Sequence, residues 1–249
     1  MQSIYITGTG FWIPEDGLTT NDEVVNSYNS FVDNFNASNA KAISLGSIEA
    51  MSHSSSEFIE KASGIKTRYL FDKHNCLDPN RMKPKTRPEL SDNTSILAEM
   101  GIESAKMAIE NAGITADEID GIILGTSHSA RNYPAIAIEI QEALGVNGYA
   151  YDMLVGCSST TFAISNAFSD IASGLASTIL VINPELTSPG NDFRIRDSHF
   201  IFGDACVATI VQGKSEDPNG AFRIKDRELV TQFSNNIRSD FSYMNRTDD

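Results

Sequence analysis

Apolar residues along the chain fall into short unbroken runs separated by longer stretches of helical period, and this rhythm sets the expected elements. Gly121–Thr126 (GIILGT) and 178–183 (TILVIN) are continuous apolar runs, as buried strands are. Residues 149–155 and 205–212 are read as further strands. Between them the spacing predicts three helices. One spans 94–111, capped by Asp92 or Asn93 and closed by Gly113. Another spans 134–144, opened by Pro134 and stopped by Gly145, and the third spans 158–173, ended by Gly174. The first carries a face of small residues (Gly101, Ser104, Ala105, Ala108, Ala112) suited to close packing on a sheet. Strand, helix, strand, helix, strand is the signature of an α/β fold with a parallel sheet and helices on its faces.

The flanks are less regular. Residues 3–9 (SIYITGT) alternate and break at Gly8 and Gly10, as a strand entering a turn does. Asn21-Asp22-Glu23 is placed to cap a helix reaching about Phe35, inside a stretch at 26–56 rich in Asn and Ser. The 52–56 run reads as loop, and 72–92, with three prolines, as an exposed excursion. Residues 222–233 (FRIKDRELVTQF) alternate like a strand, and 234–249 are polar without a clear closing element.

Composition adds exclusions. With 41% hydrophobic and 21% charged residues in 249, collagen-like, low-complexity and wholly disordered readings fall away. No run of 18 apolar residues exists, so no membrane span is expected, and the first residues lack the pattern of a signal peptide. Three cysteines, Cys76, Cys157 and Cys206, lie far apart with no CxxC pair. That argues against a disulfide framework or a metal site and for a reducing, cytoplasmic setting. The net charge of −14 disfavours general nucleic-acid binding. It is uneven: residues 61–87 hold eight basic and two acidic side chains, a balance of +6, which leaves −20 elsewhere. The segment reads either as a solvated basic loop or as a dock for an anionic partner or a phosphate-bearing ligand.

The sharpest chemical signal is Val155-Gly156-Cys157-Ser158-Ser159-Thr160-Thr161. A strand ends at Gly156 and a helix starts just after Cys157, the layout of a turn that presents one nucleophile at the carboxyl end of a sheet. The helix dipole and free first-turn N–H groups there favour thiolate, and a backbone N–H can face an oxyanion. The plainer reading is a small buried hydrophobe at a strand end. Neither Cys76, in the basic loop, nor Cys206, within an apolar run, has a helix start behind it.

With these motifs in place, the chain resembles the ketoacyl-acyl carrier protein synthase III family of the thiolase superfamily. The matching stretches are 58–66 (FIEKASGIK), the strand and helix around Gly121 and Pro134, the Cys157 turn and 200–204 (FIFGD), in order across most of 1–212. The 26–56 segment, 196–199 and 232–236 resemble the β-ketodecanoyl synthase subgroup. The resemblance implies a thiolase-like fold, with 1–213 as the nucleophile-bearing half (25–92 an excursion within it) and 214–249 the start of the second half. It implies transfer of an acyl group from acyl-CoA to Cys157, then decarboxylative condensation with malonyl-acyl carrier protein in fatty acid biosynthesis, with no resident cofactor. It further implies a homodimer. Phe58 and Arg196 match the pair that sandwiches the CoA adenine, and Tyr133 the aromatic that crosses a dimer interface into the partner's acyl tunnel. Ala62 stands where many members carry a basic residue. The acidic acyl carrier protein would dock on the basic segment, at Lys61, Lys66, Arg81, Lys83 and Lys85.

The residues leave other readings open. Phe58 suits the core, and Arg196 can pair with Asp192 or Asp197. Of the four histidines, His199 is read as structural, His53 and His74 as solvated, and His128 as close to the rim that carries Cys157. The family's catalytic histidine and asparagine lie beyond the matched region; Asn235 and Asn236 fall too early in the element order. Rival functions are a related condensing enzyme of polyketide, alkylquinolone or olefin type, or a non-catalytic truncated or partner subunit.

Overall fold

Six strands form one mixed sheet in the computed structural model, which describes residues 3–87, 94–216 and 218–234. The strands are β1 (Ser3–Trp12), β4 (Gly121–Thr126), β5 (Tyr149–Leu154), β6 (Thr178–Leu186), β7 (Asp204–Lys214) and β8 (Phe222–Arg223), ordered β5-β4-β6-β7-β1-β8. A short pair, β2 (Leu18–Thr20) and β3 (Thr67–Tyr69), stands apart from it. Only β5, β4 and β6 run parallel, joined by helical crossovers as the apolar runs predict. The sheet is not parallel throughout. β7 follows β6 through a connection without a crossover helix, so it returns antiparallel, and β1 and β8 continue that alternation.

Helices cover both faces. Helix α5 (Ile96–Ala112) and α6 (Ile136–Leu144) pack on one, burying Met100, Ala105, Ala108 and Ile140 against Leu124, Ile182, Ala208 and Ile210. Helix α7 (Ser159–Ala172) packs on the other, setting Ala163, Ala167 and Ile171 against Ile123, Ile179 and Val181. The expected break at Gly8 and Gly10 does not occur; β1 runs on to Trp12. Those glycines serve helix packing instead: a Cβ would sit 2.4 Å from Ala108 O at Gly8 and 2.1 Å from Ser104 O at Gly10. The small face of α5 therefore meets a strand that has no side chains at the contact.

Several ends move from their expected places. Ser95 caps α5, its Oγ accepting the Ala98 N–H at 3.2 Å; Asp92 and Asn93 lie outside the described residues. Helix α6 begins at Ile136 rather than Pro134, because the Asp152 carboxylate on β5 accepts the N–H groups of Ile136 and Ala137 at 2.7 and 2.9 Å. Helix α1 (Asn21–Ser38) outruns the expected stop at Phe35 and starts from a Thr20–Glu23 capping box. It is followed by α2 (Ala40–Ser44), α3 (Ser56–Ser63) and α4 (Lys73–Cys76). Of the strand expected at 222–233, only Phe222–Arg223 pairs, with Ile6 and Tyr5; beyond it Ile224 N–H still reaches Ile4 O at 2.9 Å. Asn235, Asn236 and the polar stretch after Ser234 lie outside the described residues.

Candidate active site

Cys157 is exposed, on a short 3-10 turn (Gly156–Ser158) between the end of β5 and α7. The turn is sharp because Gly156 adopts φ +56°, a region costly for other residues. The strain of the bend thus falls on the glycine before the thiol. Ser159 then locks the turn to the sheet. Its buried hydroxyl shares its one proton between Thr126 O (2.9 Å) and Gly156 O (2.8 Å) and accepts the Val155 N–H (3.0 Å). Thr126 Oγ1 donates to Pro184 O at 2.8 Å, and Asn183 Nδ2 to Gly125 O at 2.8 Å. The ends of β4 and β6 are thereby tied beneath the thiol. Asn183 Oδ1 is buried without a hydrogen-bond partner. No local sequence pattern marks Ser159 or Asn183 as a site residue. Asn183 left a trace, a polar side chain ending an apolar strand; the serine's partners are backbone atoms that only the fold brings near.

The other two thiols are unlike it. Cys206 is buried in β7 with Sγ 3.1 Å from Ser104 Oγ, and burial pushes its thiol up to about 12. Cys76, expected in an exposed loop, is instead fully buried with Tyr28, Leu70 and Phe193, and burial raises it to about 12 as well. Apolar residues of α1 and of the loop after β6 close over it.

Among the histidines, His128 lies on the rim at the end of β4. Its Nδ1 is 3.1 Å from Ser127 Oγ and 3.7 Å from Glu185. His53 pairs with Asp33 at 2.8 Å, and His74 is exposed. His199 is buried, stacked on Tyr28. Burial holds its imidazole down to about 4.

The structure brings Phe58 and Arg196 together. The guanidinium carbon lies 4.1 Å from the phenyl centroid, with Nε donating to His53 O (2.8 Å) and Nη1 3.6 Å from Asp197. Asp192 binds Arg194 instead. A base inserted between the two planes needs about 7 Å, twice a van der Waals contact, so the pair must part to admit one. Tyr133 projects from the loop before α6, 83% exposed.

The basic segment is less free than its +6 balance suggests. Arg68 is buried and bonds Asn21 Oδ1 (2.6 Å), Lys66 pairs with Glu60, Lys73 with Glu23 and Arg87 with Glu99. Arg81 is spent on the carbonyls of Lys83 and Pro84. Among the described residues, the exposed Lys61, Lys83 and Lys85 make no ion pair. An open groove of about 930 Å³, lined by Trp12, Phe71, Leu77 and the rim acids Glu15 and Asp16, contains none of the expected site residues. No group of side chains able to hold a metal ion is found among the described residues.

An exposed cysteine on a strand-to-helix turn in this layered α/β fold is the arrangement shared by thiolase-like condensing enzymes. The profile of the 3-oxoacyl-acyl-carrier-protein (ACP) synthase III family matches residues 151–228, the stretch that holds the turn. The solved 3-oxoacyl-acyl-carrier-protein synthase III of Aquifex aeolicus superimposes with a TM-score of 0.63 at 27% identity, covering 86% of this chain and 55% of that one. These likenesses set the chain beside the ketoacyl-acyl carrier protein synthase III family, and its fold is thiolase-like. The chain is 49% identical over 224 residues to the β-ketodecanoyl-acyl-carrier-protein synthase of Pseudomonas aeruginosa, covering 90% of this chain and 64% of that protein. It is 32% identical over 167 residues to the β-ketoacyl-acyl-carrier-protein synthase III of Ehrlichia canis, covering 67% of this chain and 46% of the relative. The chain thus spans from about half to 64% of the length of these proteins.

Proposed function

We propose that this chain is the nucleophile-bearing portion of a 3-oxoacyl-acyl carrier protein synthase of fatty acid biosynthesis, acylated at Cys157. The observation that carries the reading is the exposed Cys157 thiol at the start of α7, inside the matched stretch. In the first step the Cys157 thiolate attacks the acyl-CoA carbonyl; a new C–S bond forms and CoA leaves as its thiolate. In the second, malonyl-acyl carrier protein loses CO2, and its carbanion attacks the acyl-cysteine carbon. The Cys157 thiolate departs, leaving a 3-oxoacyl-acyl carrier protein. The family resemblance assigns the donors that hold the enolate to its second half, so condensation is proposed for the protein carrying that half. Both acyl donors are substrates, and the scheme uses no resident cofactor. The 49% identity to a β-ketodecanoyl synthase favours this over polyketide, alkylquinolone or olefin relatives and over a non-catalytic subunit.

The same reading assigns the CoA adenine to Phe58 and Arg196, supported by their contact across one surface. It makes the protein a homodimer, supported by β5 at one edge of the sheet, with Leu154 exposed at its end, and by the exposed Tyr133 in the loop before α6. It docks the acidic carrier on Lys61, Lys83 and Lys85, with Lys66 and Arg81 already engaged. A cytoplasmic setting follows from the unpaired cysteines; no described helix is long and apolar enough to cross a membrane. The deciding experiment incubates the protein with octanoyl-CoA and weighs it intact. One added octanoyl group, absent in Cys157→Ala, is expected. No gain, or a gain that survives the substitution, refutes the assignment.

A further inference from the structure

His199 is 1% exposed; neither ring nitrogen meets hydrogen-bond geometry, although a backbone interaction with Ile195 favours its charged form. An imidazole buried in this state is destabilising relative to an apolar side chain of its size. Its surroundings give it a use. One face stacks on Tyr28 at 4.7 Å and 27°, and its ring meets Phe200 at 5.5 Å and 85°. Phe200 in turn meets Phe58 at 6.0 Å and 90°, and Phe58 carries the Arg196 guanidinium. The rings form one continuous series from helix α1 to the Phe58–Arg196 pair, each contact within the range in which aromatic rings orient one another.

Both ends of the series are fastened to one short segment. Tyr28 OH donates to Ser52 O at 3.3 Å, and Arg196 Nε donates to His53 O at 2.8 Å. Asn29, beside Tyr28, exchanges two hydrogen bonds with the Ser54 backbone at 2.9 and 3.1 Å. The 26–56 stretch therefore acts as a frame that α1 and residues 52–54 close around the ring series.

We propose that His199 and Tyr28 are positioning residues, which set the tilt of the Phe58 ring and so its fit to the CoA adenine. This rests on the assignment of Phe58 and Arg196 to that base. A flat ring at position 199 is the requirement, and its nitrogens are dispensable. A residue that merely fills volume would make no distinction between a leucine and a ring.

The test compares Cys157 acylation by octanoyl-CoA with acylation by octanoyl-pantetheine, which lacks the adenine, using intact mass to follow the rates. The readout is the ratio of the two rates. His199→Leu fills the same space without a flat face. It is expected to melt no lower than the parent protein yet lower the CoA-to-pantetheine ratio by about three- to tenfold, the worth of one oriented ring contact. His199→Phe is expected to restore the ratio. An unchanged ratio in His199→Leu, or a fall that His199→Phe fails to restore, overturns the proposal. Phe58→Ala separates the two levels of the argument. If it lowers the ratio while His199→Leu does not, only the positioning role fails. If Phe58→Ala leaves the ratio unchanged, or the parent protein accepts no octanoyl group, the adenine assignment and the positioning role fall together.

Discussion

The hydroxyl of Ser159 offers the most direct test of how the Cys157 turn is held. Replacing it with alanine removes three hydrogen bonds at once, to Thr126 O, Gly156 O and Val155 N–H. They are not equal losses. Gly156 O keeps the backbone N–H of Ser159, whereas the Val155 N–H and Thr126 O lose the serine hydroxyl with no such replacement in the turn. One stranded buried group costs about 1–3 kcal/mol and a second, half-exposed one less, so Ser159→Ala is expected to lose about 2–3 kcal/mol. Urea unfolding measures this directly, read as a fall in midpoint at constant slope. Thr160→Ala, one position on and exposed, is the control and should stay within about 0.5 kcal/mol of the parent. The same substitution should slow acylation of Cys157 by octanoyl-CoA, since the turn loses its tie to β4. A Ser159→Ala protein within about 0.5 kcal/mol of the parent, with an unchanged acylation rate, would refute the claim that this hydroxyl holds the site.

Thiol titration with a disulfide reagent at neutral pH is expected to find one reactive group in the folded chain and three in denaturant, because Cys76 and Cys206 are buried and raised to about 12; fast reaction of more than one folded thiol contradicts the packing. Gly8→Ala and Gly10→Ala each drive a methyl into the α5 backbone, so a loss of about 3 kcal/mol or more is expected in urea, and a mild effect would mean α5 can lift off β1. His199 has a folded value near 4, below its unfolded value near 6.5. Between those pH values the unfolded chain binds more protons, so stability is full above about pH 6.5 and falls as pH drops toward 4, by about 3 kcal/mol in all. His199→Leu should flatten that part of the pH–stability curve; an unchanged slope would assign it to other groups.

Period and run length were enough to find β4, β6, α5 and α7, since continuous apolar runs and helical spacing are local properties. They could not reveal that β7 reverses direction, because an antiparallel and a parallel strand bury the same residues. Gly8 and Gly10 misled for a related reason. A glycine that ends a strand and one that admits a neighbouring helix look alike until the helix is in place. At the site, Cys157 was legible from its place between strand and helix, and Phe58 and Arg196 only through family resemblance. Ser159 works through backbone atoms of β4, some 30 residues away (33 between Ser159 and Thr126), which no local pattern encodes. The +6 segment shows the limit of counting charges: Arg68 is a buried tie to Asn21, so part of that charge was never at the surface.

The position of β1 has a kinetic consequence. Its neighbours in the sheet are β7 and β8, and Thr7 Oγ1 bonds Gln212 Oε1 across 205 residues of chain. The earliest-made of the described strands therefore has no partner until nearly all the others have been synthesised. Through that interval its apolar residues have only helices to shelter against, α5 on one face and, for Ile4, α7 on the other, and contacts of such long separation form slowly. Closing the sheet is therefore expected late in folding, and the glycines that let α5 lie flat on β1 give the waiting strand a first place to rest.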